Sequence, residues 1–335
     1  MGKRLGKQTI EFGNPAYING FYSIVGEKEG NGNFKDYFDY VLKDDTFGES
    51  SYEKAERKLL EHAIINAIDK AGLKTSDIDL LISGDLLNQI ISSSFAAREY
   101  NFTFLGLYGA CSTMAESLAV GSAFIDNGYF DNVACATASH FSSAERQYRF
   151  PLELGNQRPP VSQWTVTGSG CTILGRKESN KKIVNATFGK VVDYGIADVN
   201  NMCAAMAPAA SKSLIEHFED TKTTPDDYDL ILTGDLGKLG SEILLDLMEH
   251  DGYKLKDNYN DCGQMIFNNN QKTYQGGSGA GCSAVVLNSY VMQKMNEDKY
   301  KRVLFAATGA LLSTTSAQQG ETIPGICHVV EIRKV

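Results

Sequence analysis

The chain has 335 residues, 42% hydrophobic and 22% charged, which fits a globular fold of two domains or of one large duplicated domain. A net charge of −9 argues against nucleic acid and against an anionic membrane face as the main partner. Seven cysteines with no C-x-x-C pair point to a reducing compartment, without a disulfide framework or a zinc site.

The opening MGKRLGKQTIEFGNP lacks the apolar core of a signal peptide. The longest apolar run, near VLFAATGALL, is far too short to span a membrane. Attachment to a membrane would therefore need partners.

In chain order, YEKAERKLLEHAIINAIDKAG places Leu59, Leu60, Ala63, Ile64, Ala67 and Ile68 at helical spacing. DIDLLISGDLLNQ follows, with LLIS read as a short buried strand ending at Asp85. FLGLYGACSTMAESLAVGSAFIDNGYF reads as a strand, a sharp elbow at Cys111 and a helix as far as Gly128. The strand DNVACATAS comes next. SHFSSAERQYRFPLELGNQRPP then reads as a loop, leading to a closing strand in WTVTGSGCTILG.

A second series repeats the first. AAMAPAASKSLIEHFED reads as a helix and leads to DYDLILTGDLGKL, which matches DIDLLISGDLLNQ with Asp235 against Asp85, an offset of 150. GGSGAGCSAVVL aligns Cys282 with Cys111, and YKRVLFAATGA aligns Val303 with Val133, offsets of 171 and 170. The second copy thus carries roughly 20 more residues, near DGYKLKDNYNDCGQ. GICHVVEI closes it, and KIVNATFGKVVD opens it as KQTIEF opens the first. The expected division is residues 1–178 and 179–335.

Strands alternating with helices predict mostly parallel sheets covered on both faces, one per copy, about a pseudo-twofold axis. Ligands in such folds sit past the carboxyl ends of strands. Cys111, Asp85, Asp235 and Thr308 all lie there. The two aspartates read as helix caps or as struts between the copies rather than as ligand contacts, since they would repel an anion.

The duplication and the elbow YGACSTMAESLAVGSAFID resemble the thiolase superfamily, which includes the β-ketoacyl synthases, over nearly the whole chain. The resemblance implies a layered α-β-α-β-α fold. It also implies that Cys111 stands where the family keeps its acyl-accepting thiol, activated by helix N–H groups and dipole. The family's histidine position falls at or beside Gly234-Asp235, and its asparagine position at or near Gly277. Neither residue type is there. His140 and His328 are the only histidines placed to approach Cys111, and the competing reading is an active acyltransferase using one of them as base.

ISGDLLNQ, GACSTMAES, SHFSSAERQYRFP, GNQRPP, AMAPAA, GGSG and VLFAATGALLS further resemble a sporulation family of thiolase-like proteins. That resemblance implies a non-enzymatic protein that binds dipicolinic acid, free or as its calcium chelate, for uptake into the developing spore. It implies no cofactor or metal of its own, a homodimer, no nucleic acid, and membrane proteins of the same sporulation system as partners. The location implied is peripheral, on the cytoplasmic side of the inner spore membrane.

A planar dicarboxylate calls for an apolar slot and several donors. The expected contacts are Cys111 and Ser112 at the helix start, Gly277 and Ser278 in the glycine-rich turn, Thr308, and the cations His140, Arg146 and Arg149. Arg158 lies in the same basic stretch. The arginines read equally well as part of a dimer seam, and DNVACATASH is the strand expected at that seam. A third reading makes the fold only a scaffold for membrane partners.

Overall fold

The computed structural model describes residues 2–148 and 158–335. The first copy runs β1 (Thr9–Val25), α1 (Tyr52–Lys70), β2 (Leu80–Gly84), α2 (Ile91–Tyr100), β3 (Phe104–Gly106), α3 (Thr113–Asp126), β4 (Asn132–Ser139), α4 (Phe141–Tyr148) and β5 (Gly168–Gly175). The second runs β6 (Lys181–Thr187), α5 (Met202–Thr221), β7 (Leu230–Thr233), α6 (Gly237–His250), β8 (Tyr259–Asp261), α7 (Ala280–Val286), β9 (Arg302–Ala310), α8 (Thr314–Gln318) and β10 (Gly325–Lys334).

Strand order is β3-β2-β4-β5-β1 in the first half and β8-β7-β9-β10-β6 in the second, so the halves share one topology. Within each half the first two pairings are parallel and the last two antiparallel, giving mixed sheets. The halves are not separate sheets. The long β1 pairs with β5 along Tyr17–Val25 and with β6 along its first part, so the ten strands form one hydrogen-bonded path. Thr9 and Thr187 meet at that seam, hydroxyl to hydroxyl at 2.8 Å.

Register confirms the duplication residue by residue. Leu80 pairs with Val133, and Leu230 with Val303. Leu81 pairs with Phe104, and Ile231 with Tyr259, an offset of 155 at the third strand. Most of the second copy's extra residues therefore lie after β8.

The D-x-D-L repeat also has a physical account. Asp77 and Asp227 accept the backbone N–H of Lys74 and Thr224, each at 2.7 Å, and close a turn before the strand. Asp79 accepts the N–H of Asp131 and Asn132, and Asp229 those of Lys301 and Arg302, tying the start of one strand to its neighbour.

Apolar residues alternate between two cores along each strand, because successive side chains face opposite ways. Leu80, Ile82, Val133 and Cys135 enter a central core with Met114 and Leu118 of α3 and with Val285 and Val286 of α7. Leu230, Leu232, Val303 and Phe305 enter the same core from the other half. Leu81, Ala134 and Ala136 face α1 (Leu59, Leu60, Ile64) on one outside, and Ile231 and Leu304 face α5 (Leu214, Phe218) on the other. The result is helix, half-sheet, helix, half-sheet, helix, the layering the resemblance implies, with the two half-sheets joined through β1 and β6.

Two expectations need correction. DNVACATASH cannot be a dimer seam through its strand, because β4 is hydrogen-bonded on both sides, to β2 and β5. The free edge of the first half is β3. The stretch after β4, expected as a loop, opens as α4.

Candidate functional site

The site is built at the elbow between β3 and α3. Ala110 has φ +50°, an uncommon conformation for a residue with a Cβ, and it reverses the chain sharply. Ser112 Oγ donates to Gly109 O and Thr113 Oγ1 to Ala110 O, each at 2.7 Å, which fastens the turn. The elbow lies against Gly309 of β9, where a Cβ would stand 2.2 Å from Gly109 O. Only glycine permits this approach of the two halves.

Cys111 is 8% exposed, whereas the other six cysteines are wholly buried. Burial raises its thiol well above the ordinary range, and the Asp235 carboxylate adds to the rise. The N–H of Gly279 and the Ser278 hydroxyl act in the opposite sense, more weakly.

Asp235 follows β7 and is fully buried. Its Oδ2 accepts Ser278 Oγ and the N–H of Gly279, and its Oδ1 accepts Thr308 Oγ1, each at 3.0 Å. The equivalent Asp85 turns elsewhere, accepting Leu87 N–H at 3.0 Å and both the N–H and hydroxyl of Ser93 at 2.8 Å. The halves thus diverge at the last aspartate of an otherwise matched motif. Asp85 bonds only within the first copy and holds an N–H of the first turn of α2, so of its two expected roles it fills that of a helix cap and not that of a strut between the copies. Asp235 belongs to the site, which the sequence reading did not assign.

Above Cys111 is a cavity of about 170 Å³. Leu86, Ala110, Ala144, Met202, Met206, Ala310 and Leu312 supply apolar wall, and Tyr108, Tyr148, Thr165, Ser278, Thr314 and Gln318 supply polar groups. Glu145 also lines it, and among the described residues no lysine, arginine or histidine does. Tyr148 donates to Leu86 O at 2.7 Å, and the two tyrosine hydroxyls meet at 3.1 Å. Burial raises both phenols. Thr165, Thr314 and Gln318 have no side-chain hydrogen bond among the described residues. Thr165 pairs in register with Ser278 near the floor, whereas Thr314 and Gln318 also line the adjoining outer groove.

Of the expected site residues, the structure brings Cys111 and Ser278 to the cavity wall. Gly277 and Thr308 lie just behind it, the first accepting Gln163 Nε2 on its carbonyl and the second held by Asp235. Ser112 is buried in the elbow.

His140 is a correction. It is wholly buried, its Nε2 donates to Asp45 O at 2.7 Å, its Nδ1 accepts Ser142 N–H, and its ring lies beside Tyr52. Burial lowers its pKa, so it is neither a cation nor a cavity group. Arg146 is also displaced, since α4 turns Ala144 and Tyr148 inward while Arg146, two residues from each, points out to Glu53 at 3.2 Å. It lines the outer groove instead. Arg149 lies outside the described residues.

Arg158 stacks over Trp164 and donates to Gln163 O, away from the cavity wall. His328 accepts Gly189 N–H and stands beside Phe188, away from Cys111. The polar cavity residues the sequence reading missed are Tyr108, Tyr148 and Thr165, on separate segments, and Thr314 with Gln318, one turn apart on α8; no motif joins them.

Two like halves that meet at a cysteine elbow define a thiolase-like protein. Among solved structures the chain resembles 3-oxoacyl-[acyl-carrier-protein] synthase III from Aquifex aeolicus VF5, with 15% identity, 95% of this chain and 99% of that one covered, and a TM-score of 0.59. It also resembles an OleA variant of Xanthomonas campestris, with 10% identity, 96% and 99% covered, and a TM-score of 0.63. These likenesses establish the fold. The chain belongs to the stage V sporulation protein AD family, whose description matches residues 6–333. Stage V sporulation protein AD of Bacillus subtilis (strain 168) is 45% identical over 328 residues, covering 98% of this chain and 97% of that protein. Among the described residues no helix is long and apolar enough to cross a membrane.

Proposed function

We propose that this chain binds dipicolinic acid and serves its uptake into the developing spore, using a condensing-enzyme fold as a receptor rather than as a catalyst. The observation that carries the reading is the cavity over Cys111. Its volume of about 170 Å³ suits one six-membered ring, since an engineered apolar cavity of about 150 Å³ takes up benzene. Its apolar walls suit the faces of a pyridine.

The donors left without partners stand at two ends, Thr165 near the floor and Thr314 with Gln318 at the mouth. A dicarboxylate spanning them would give each end an acceptor. The carboxylates would be held by neutral donors instead of the cations expected from sequence, and charge-assisted hydrogen bonds of this kind are about twice as strong as neutral ones. Among the described residues no histidine faces Cys111, so the thiol has no base of the usual kind.

Calorimetric titration of the purified chain with dipicolinate tests the reading, and saturable one-to-one binding is expected. Incubation with an acyl thioester should leave Cys111 unmodified by mass spectrometry. An adduct at Cys111 that passes to a second substrate would instead make this an acyltransferase.

A further inference from the structure

The roof of the cavity is built apart from its walls. Thr314, Ala317 and Gln318, all on α8, line the cavity, and Thr314 and Gln318 also line the outer groove of about 530 Å³. The helix is therefore a partition between the two spaces. It belongs to the segment that joins β9 to β10, whose ends are pinned together where Leu311 N–H donates to Pro324 O at 2.8 Å. A compact excursion closed at its neck is an Ω-loop. Its feet, Leu312 and Ile323, pack into the core beside α5 in the second half.

Between the feet the segment supports itself. Ser313 Oγ accepts Ser316 N–H at 3.0 Å and Ser316 Oγ accepts Ser313 N–H at 2.9 Å, which caps the start of α8. Gly320, at φ +78°, turns the chain at the far end, where Gly320 N–H donates to Ala317 O and Glu321 N–H to Ser316 O, each at 3.1 Å. Capped at both ends by its own residues, α8 can shift without unravelling. None of its residues is buried. Among the described residues, nothing from Ser313 to Glu321 makes a hydrogen bond outside that segment. The first-half wall of the cavity (Leu86, Tyr108, Ala144 and Tyr148) thus has no hydrogen bond to its roof.

We propose that α8 is a lid and that the ligand itself closes it. Few buried contacts and no outside hydrogen bonds put this segment at the low end of local stability. With the lid raised, Thr314 and Gln318 face water and the cavity runs into the groove. With it shut, they face a carboxylate at the mouth. A ligand that bridges floor and lid gains those contacts in the closed state only, so it draws the population toward closure. The lid follows from the build of the segment alone, whereas its closing by dipicolinate rests on the function proposed above.

Distances between paired spin labels on the full chain test the movement, with Cys111→Ser as background. One label goes on the lid at the exposed Gln319→Cys and one on α1 of the first half at the exposed Asp69→Cys. Asp69→Cys with the exposed Glu242→Cys on α6 is the rigid reference pair. Without ligand the lid pair should give a distribution at least about twice as wide as the reference, and dipicolinate should narrow it to the reference width. A lid pair as narrow as the reference before ligand is added overturns the lid. A broad distribution that stays broad while calorimetry on the labelled chain shows dipicolinate bound overturns closure by the ligand. A broad distribution with no dipicolinate binding supports the lid and overturns the dipicolinate reading instead.

Hydrogen exchange on the unsubstituted chain gives a second decision. The amides of Ala317 and Gln319 should exchange at least about tenfold faster than those of β10, and slow when dipicolinate is added. Protection equal to that of β10 in the free protein overturns the proposal.

Discussion

The two-ended arrangement of unused donors can be tested by removing them one at a time. Thr165→Val is close to isosteric and lies in a short strand paired with Gly277 and Ser278, so the cavity keeps its volume and loses only a donor. Thr314→Val does the same at the mouth, at the first position of α8, whose cap is the neighbouring Ser313. A hydrogen bond to a charged acceptor contributes about 1.5–3 kcal/mol. Each variant should therefore bind dipicolinate roughly 10- to 150-fold more weakly.

Picolinate, with one carboxylate, separates the ends. It should bind the parent more weakly than dipicolinate does. Its affinity should respond to whichever threonine meets its single carboxylate and ignore the other. Calorimetry with both ligands on the parent and the two variants completes the comparison. If both variants hold dipicolinate as tightly as the parent, the ligand does not span this cavity.

Glu29 is buried, with Oε1 accepting Thr167 N–H at 3.1 Å and Oε2 unpartnered, and burial pushes its carboxyl up to about 8. The folded state then holds a proton that the unfolded chain releases near pH 4.5, so stability falls as pH rises from there toward 8. The fall is at most about 1.4 kcal/mol per pH unit. Glu29→Gln should remove that slope, so denaturant unfolding should show it gaining roughly 2 kcal/mol on the parent between pH 6 and 8, and parallel curves would refute the assignment. Gly309→Ala drives a methyl group into Gly109 O and should cost roughly 1–3 kcal/mol in unfolding while displacing the elbow. The free edge at β3, with Phe95 and Tyr108 exposed, should pair two copies, so that Leu105→Pro yields a monomer by light scattering; a monomeric parent would remove this seam.

Much of the fold is legible in the sequence because its signals are local and occur twice. LLIS and LILT are short apolar runs between aspartate and glycine, and their repetition at an offset of 150 reappears as the shared register of Leu80 with Val133 and Leu230 with Val303. The elbow at Cys111 is legible for the same reason, as a strand, a tight turn and a helix within one segment.

The direction of a side chain across the fold is not local. His140 and Arg146 lie near Cys111 in the chain and in a basic, aromatic stretch, so sequence places them on a ligand. One is drawn inward by the carbonyl of Asp45 and the other is rotated outward by the turn of α4. Ser278 and Cys111, 167 residues apart and in different copies, line one cavity because the two halves close face to face at Gly309. Thr165 and Thr314 come to one cavity by the same closure. Periodicity and turn chemistry act over a few residues and can be read along the chain, whereas a cavity between two halves depends on which long-range contacts form, and those exist only in the folded protein.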